Sequence, residues 1–141
     1  MDITTERAGG DVAVMRLVGE LDGSNFERVI SGARQLRDGG AKTLVVDLGG
    51  LSYMASAGLV ALHSAAILMA GGEPPDPEAG WDTLLGFGGG GGDRLRQGLK
   101  LAAVTPQVDR VLDRTGIRSL FDLHPDTASA LAAAGVTEPT A

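Results

Sequence analysis

Between Asp11 and Leu21 apolar residues alternate around Val12, Val14 and Leu17-Val18, ending in Gly19-Glu20-Leu21-Asp22. This is the pattern of a strand running into a turn. Ser24-Asn25-Phe26-Glu27 follows with the spacing of a capping box, in which Ser24 and Glu27 would satisfy each other's backbone donors. Phe26, Val29, Ile30, Ala33 and Leu36 recur at helical spacing, and Gly39-Gly40 closes that helix. Lys42 to Leu48 is a β-branched apolar run, as expected of a strand buried on both faces. After Gly49-Gly50 and Leu51-Ser52-Tyr53-Met54, Ser56 stands where a helix N-cap would sit, with Leu59, Leu62, Ala66 and Met69 as the buried stripe. Leu99 to Val104 reads as a further short buried strand. Thr105-Pro106 then opens a helix with a capping residue and a proline at the first helical position. Val108, Val111 and Leu112 should face inward and Gly116 should end it. Leu120-Phe121-Asp122-Leu123 predicts a last strand, and Asp126 caps an alanine-rich helix stopping at Gly135.

Strands alternating with helices over short links predict an open α/β sheet with substantial parallel pairing. Residues 71–98 interrupt the rhythm. They hold ten glycines and three prolines, including the run Gly88 to Gly92, a composition too poor in apolar surface to order itself fully. The chain therefore reads as one domain over 1–141 with a flexible insertion at 71–98. Within the insertion, Trp81, Leu84, Leu85 and Phe87 either fold back over an apolar patch of the domain or serve as a docking segment for a partner.

Composition narrows the chemistry. The 141 residues are 43% hydrophobic and carry 12 Lys+Arg against 18 Asp+Glu, a formal net charge of −6. Direct nucleic-acid binding, which needs a clustered basic face, is not expected. The absence of cysteine excludes thiol catalysis, disulfides and iron–sulfur clusters, and two histidines are too few for a multi-histidine metal site. The amino-terminal residues Met1 to Arg7 show no signal core, and the longest apolar stretch, Leu59 to Ala70, is too short for a bilayer. The expectation is a cytoplasmic protein, without membrane insertion, monomeric or weakly dimeric.

No catalytic constellation emerges. Gly88 to Gly92 lacks the Lys-Ser/Thr pair of a phosphate loop and reads as a tether. No Gly-x-Ser-x-Gly elbow is present, so His63 and His124 read as structural or surface residues. Glu20 and Asp22 read as a solvated rim, and Arg94-Leu95-Arg96 with Lys100 as a solvated helix start after the insertion or, alternatively, a small surface for an anionic partner. Ser56 differs, because a phosphate there would meet the amide donors and positive dipole end of a helix while adding nearly two negative charges to the surface.

Taken together, Leu17-Val18-Gly19-Glu20-Leu21-Asp22, Leu44-Val45-Val46-Asp47-Leu48 and Leu51-Ser52-Tyr53-Met54-Ala55-Ser56-Ala57-Gly58-Leu59 resemble the STAS domain of bacterial anti-sigma factor antagonists. Pro106 to Gly116 followed by Leu120-Phe121 continue the resemblance in family order. It implies a mixed sheet of four to five strands with about four helices packed mainly on one face. It also implies a partner switch without cofactor. The unphosphorylated antagonist binds an anti-sigma factor that is also a serine kinase, phosphorylation weakens the complex, and a phosphatase resets it. Ser56 matches the phosphoacceptor. Gly19, Glu20, Asp22, Ser24, Met54, Ala55, Ala57 and Gly58 match its partner-binding surroundings. Two departures stand out: Ala55 and Ala57 occupy places where the family usually has an acidic residue and often a hydroxyl residue, and the 71–98 segment replaces a short turn. The same fold would also serve as a STAS subunit of a membrane transport complex, or as a nucleotide- or anion-sensing module.

Overall fold

The computed structural model describes residues 1–72, 97–115, 118 and 121–135. In chain order the elements are β1 (Asp2–Gly9), β2 (Val12–Leu21), α1 (Phe26–Asp38), β3 (Thr43–Met54), α2 (Ser56–Met69), β4 (Leu99–Ala102), α3 (Pro106–Thr115), β5 (Asp122–His124) and α4 (Thr127–Ala133). The five strands form one sheet in the order β1-β2-β3-β4-β5. β1 runs antiparallel to β2, and the other three pairings are parallel.

Among the described residues, α1 lies between β2 and β3, α2 between β3 and β4, and α3 between β4 and β5. Right-handed crossovers that all advance one way must leave their helices on one side of the sheet. The packing follows that rule. Leu44, Val46 and Leu48 of β3, with Ala13, Met15 and Leu17 of β2, form one core with Val29 and Ile30 of α1, Leu59 and Leu62 of α2, and Val108 and Leu112 of α3. The alternate positions Val12, Val14 and Val45 point to the opposite face, where Ala130 of α4 packs over them and Ala102. α4 is held there by Thr127 Oγ1, which donates to Asp47 Oδ2 at 3.0 Å, and by its N-cap Asp126, which accepts from Ser129 N at 2.7 Å. The mixed α/β sheet expected from the sequence is thus present, with three of the described helices on the main face and a fourth on the other.

Several local expectations are corrected. Residues 2–9 form an edge strand, which polar Thr4, Thr5, Glu6 and Arg7 concealed because one side of β1 faces solvent throughout. β3 does not stop at Gly49-Gly50 but continues to Met54, while β4 ends two residues early, at Ala102. α2 is buried over almost its whole circumference from Gly58 to Met69, His63 and Ser64 included, rather than along one stripe. Lys100 is not at a solvated helix start. It lies on β4, and its Nζ meets Asp122 Oδ2 at 2.8 Å, with His124 Nε2 on the same oxygen at 2.9 Å. Those contacts, after allowing for burial acting the other way, hold the Asp122 carboxyl below its usual pKa. Trp81, Leu84, Leu85, Phe87, Arg94, Arg96 and Gly116 lie outside the described residues.

Candidate functional site

The parallel strands β2 and β3 end together, with Glu20 opposite Tyr53 and Leu21 opposite Met54. Ala55 N then donates to Leu21 O at 2.9 Å, which carries the pairing one residue past the strands and delivers the chain into α2. Ser56 is exposed and is the first helical residue; the N-cap is Ala55, in an extended conformation and without a side chain able to cap. The expected role of Ser56 as N-cap is therefore corrected by one position. The helix has neither a side-chain cap nor an acidic residue in its first turn. Its positive dipole end thus carries no compensating negative group of its own.

Opposite this start lies the turn from β2 into α1. The predicted capping box does not form: α1 begins at Phe26 and its N-cap, Asn25, makes no side-chain cap bond. Ser24 instead turns back, its N and Oγ both donating to Asp22 Oδ1, at 2.9 and 2.5 Å. This is an Asx-turn, in which a carboxylate two residues upstream outcompetes the glutamate three residues downstream. The hydroxyl and then the amide of Ser24 stabilise the charged carboxylate, so the Asp22 pKa lies below its ordinary value. Asn25, which the sequence reading passed over, closes the turn. Its Oδ1 accepts from Asp22 N at 3.0 Å and its Nδ2 donates to Glu20 O at 2.8 Å. A D-G-S-N tetrapeptide after a strand was the available signal.

Gly19 has φ +114°, outside the range of ordinary side chains, and its carbonyl accepts from Ser52 Oγ at 3.2 Å. The far side of the loop is tied by α3, since Gln107 Oε1 accepts from Met54 N at 2.9 Å. Gln107 was another residue without a chemical signature in the sequence. Met54 and Gly58 are buried beneath this surface, Ala55 and Ala57 are half-buried, and Glu20 and Ser24 are exposed. The structure therefore brings Gly19, Glu20, Asp22, Ser24 and Met54 to Gly58 to one end of the sheet. Beside them are the two exposed large hydrophobic residues of the described chain, Val18 at 52% and Tyr53 at 43% exposure.

His63 and His124 lie away from this end, in α2 and β5, and no group of three His, Asp or Glu side chains among the described residues is placed to hold a metal. No described helix is long and apolar enough to cross a membrane.

Residues 4–73 match the family described as "Mlab, STAS domain". Residues 4–73 thus belong to the STAS-domain family. No curated protein matches it in sequence. Among solved structures, this STAS domain is similar to an anti-sigma factor antagonist from Mycobacterium paratuberculosis, at 21% identity and TM-score 0.64, over 95% of this chain and 93% of that one. It is similar to the anti-sigma factor antagonist SpoIIAA in its unphosphorylated form, at 18% identity and TM-score 0.61, over 97% and 100% of the two chains. It also resembles the Bacillus cell fate determinant SpoIIAA in the phosphorylated form, at 17% identity and TM-score 0.54, over 94% and 98%. At these identities the likeness establishes the STAS fold.

Proposed function

We propose that this STAS-domain protein is an anti-sigma factor antagonist, a regulatory binding protein rather than an enzyme, acting in the cytoplasm. Its partner is a kinase-type anti-sigma factor, bound through the end of the sheet that carries Gly19 to Ser24, Tyr53 and the start of α2. Phosphorylation of Ser56 releases that partner, and a phosphatase resets the switch. The observation that carries this reading is the placement of an exposed serine at the uncapped start of α2, at the end of β2 and β3 that also carries Glu20, Asp22 and the exposed Tyr53, with exposed Val18 further back along β2. Exposed apolar side chains within a polar rim supply the desolvated centre of a protein contact. A phosphate on Ser56 would add nearly two negative charges to a rim that is already acidic. It would not unwind α2, since an anion is favoured at that helix end. The fold's similarity to SpoIIAA, known in unphosphorylated and phosphorylated forms, supports the same reading.

The test is a pull-down from lysate of the source organism with the wild-type chain and Ser56→Glu, the bound proteins being identified by mass. A kinase-type ATPase held by wild type and lost with Ser56→Glu is the expected result. Equal capture by both removes Ser56 from the mechanism. Capture of transporter subunits in place of the ATPase replaces the reading with a transport role.

A further inference from the structure

β3 outruns its neighbour. Its pairing with β4 spans Leu44–Leu99 to Asp47–Ala102, whereas its pairing with β2 continues to Leu21–Met54. After Ala102 the chain turns away through Ala103, at φ +57°, and α3 begins at Pro106. The last stretch of β3 is therefore flanked on the β4 side by a helix and not by a strand. Met54, 1% exposed, still needs an acceptor for its backbone N–H, because a buried amide left unpaired is costly. Gln107, the second residue of α3, supplies it through Oε1 at 2.9 Å. The next N–H, that of Ala55, is bound on the other side by Leu21 O at 2.9 Å. The backbone just before Ser56 is thus tied on both flanks, to β2 by a main-chain bond and to α3 by one side chain.

We propose that Gln107 is a positioning residue for Ser56, setting the path of Met54-Ala55-Ser56 and coupling the presentation of the serine to the docking of α3. The proposal rests on the reading of the Ser56 end of the sheet as a contact surface. α3 itself is firmly seated. Val108, Val111 and Leu112 bury its inner face, and Thr105 Oγ1 accepts from Val108 N at 3.4 Å. A fixed helix with one polar side chain reaching across to a buried amide acts as a strut. Replacing Gln107 by leucine leaves the Met54 donor in place without its acceptor, so the loop must shift or admit water. Glutamate keeps an oxygen at the same reach and adds a charge favoured in a first helical turn.

The experiment is residue-resolved amide hydrogen exchange and NMR on the full chain, comparing wild type, Gln107→Leu, Gln107→Glu and Val108→Ala. Gln107→Leu is expected to speed Met54 N–H exchange on the order of tenfold and to move the Ser56 amide resonance. Gln107→Glu is expected to restore both. Val108→Ala, which loosens α3 packing but keeps the strut, should lower the denaturation midpoint without singling out Met54. Unchanged Met54 exchange in Gln107→Leu overturns the proposal, as does a change that glutamate fails to rescue. Faster exchange with an unmoved Ser56 resonance overturns it too, because the tie would not reach the serine. A wild-type chain that captures no kinase-type ATPase counts against the antagonist reading alone, since the exchange and resonance measurements involve no partner.

Discussion

Gly50 of β3 pairs with Val18 of β2, and its replacement by alanine is a discriminating test of how the candidate surface is built. A Cβ at Gly50 would stand 2.9 Å from Leu17 O, 2.8 Å from Val18 Cγ2 and 3.3 Å from Val18 Cα. The valine methyl can rotate away, since Val18 is exposed. The carbonyl and the Cα cannot, because they belong to the strand paired with β3 through Val18–Gly50, just after the register shift between Arg16 and Val18. Relief therefore requires the two strands to part locally. Overpacking of this kind costs about 1–3 kcal/mol, and restricting the unfolded chain at a former glycine returns about 0.5–1 kcal/mol. With backbone on the receiving side the net loss should be about 1–2 kcal/mol, or a melting temperature lower by roughly 3–10 °C for a domain of this size. Gly23→Ala is the matched control, because a Cβ there meets nothing within 4 Å and the residue has no positive φ. Urea and thermal denaturation followed by circular dichroism give the two values. A Gly50→Ala protein within about 0.5 kcal/mol of wild type would refute the argument that this close approach requires glycine.

Three further outcomes follow from single residues. Ala103 holds a left-handed conformation at φ +57°, which costs a non-glycine residue about 1–2 kcal/mol; Ala103→Gly relieves this at an entropic loss of about 0.5–1 kcal/mol and should raise the urea midpoint slightly, a lowered midpoint counting against strain there. Burial holds the His63 imidazole below its ordinary pKa of 6.5, so the unfolded chain takes up that proton first and stability falls as pH drops below 6.5, by up to about 1.4 kcal/mol per unit. His63→Gln should flatten that limb of the stability profile, and an unchanged slope would reject the assignment. Asp126 is held below the usual carboxylate pKa, first by the Ser129 amide and then by the Ser129 hydroxyl. Its support for α4 is present above the unfolded carboxylate pKa and lost as pH falls through the lower folded value. Asp126→Ala should therefore lower the midpoint at pH 7 and lose its effect in strong acid.

What the sequence revealed was the buried half of each element. Val12, Val14 and Leu17 marked β2, Val29, Ile30 and Ala33 marked α1, and Val108, Val111 and Leu112 marked α3, because each set is buried and so writes its period into the chain. β1 escaped for the converse reason: an edge strand exposed along most of its length has no apolar period to display. Pro106 and Asp126 were legible as helix starts because their chemistry is local. The Ser24 turn was misread because two local chemistries compete there, and the Asp22 carboxylate is nearer than Glu27. At the candidate site, Ser56 was visible through its place before an apolar helix. Gln107 was not, since its contact with Met54 spans 53 positions and no spacing rule encodes it.

Strand order equal to chain order has a consequence for how this domain is made. Every sheet pairing joins consecutive strands of the described chain, so each strand emerging from a ribosome finds its partner already present. β1, β2, α1, β3 and α2 are complete by Met69 and include every backbone tie of the Ser56 loop except the one from Gln107. The chain must then extend through residues 73–96 before β4 and α3 appear. At roughly 5–20 residues per second that interval lasts on the order of seconds, long compared with the docking of neighbouring elements. During synthesis, then, the elements that carry Ser56 are made before the Gln107 tie that completes their bonding, and the length of the 73–96 segment sets how long the nascent chain waits for it.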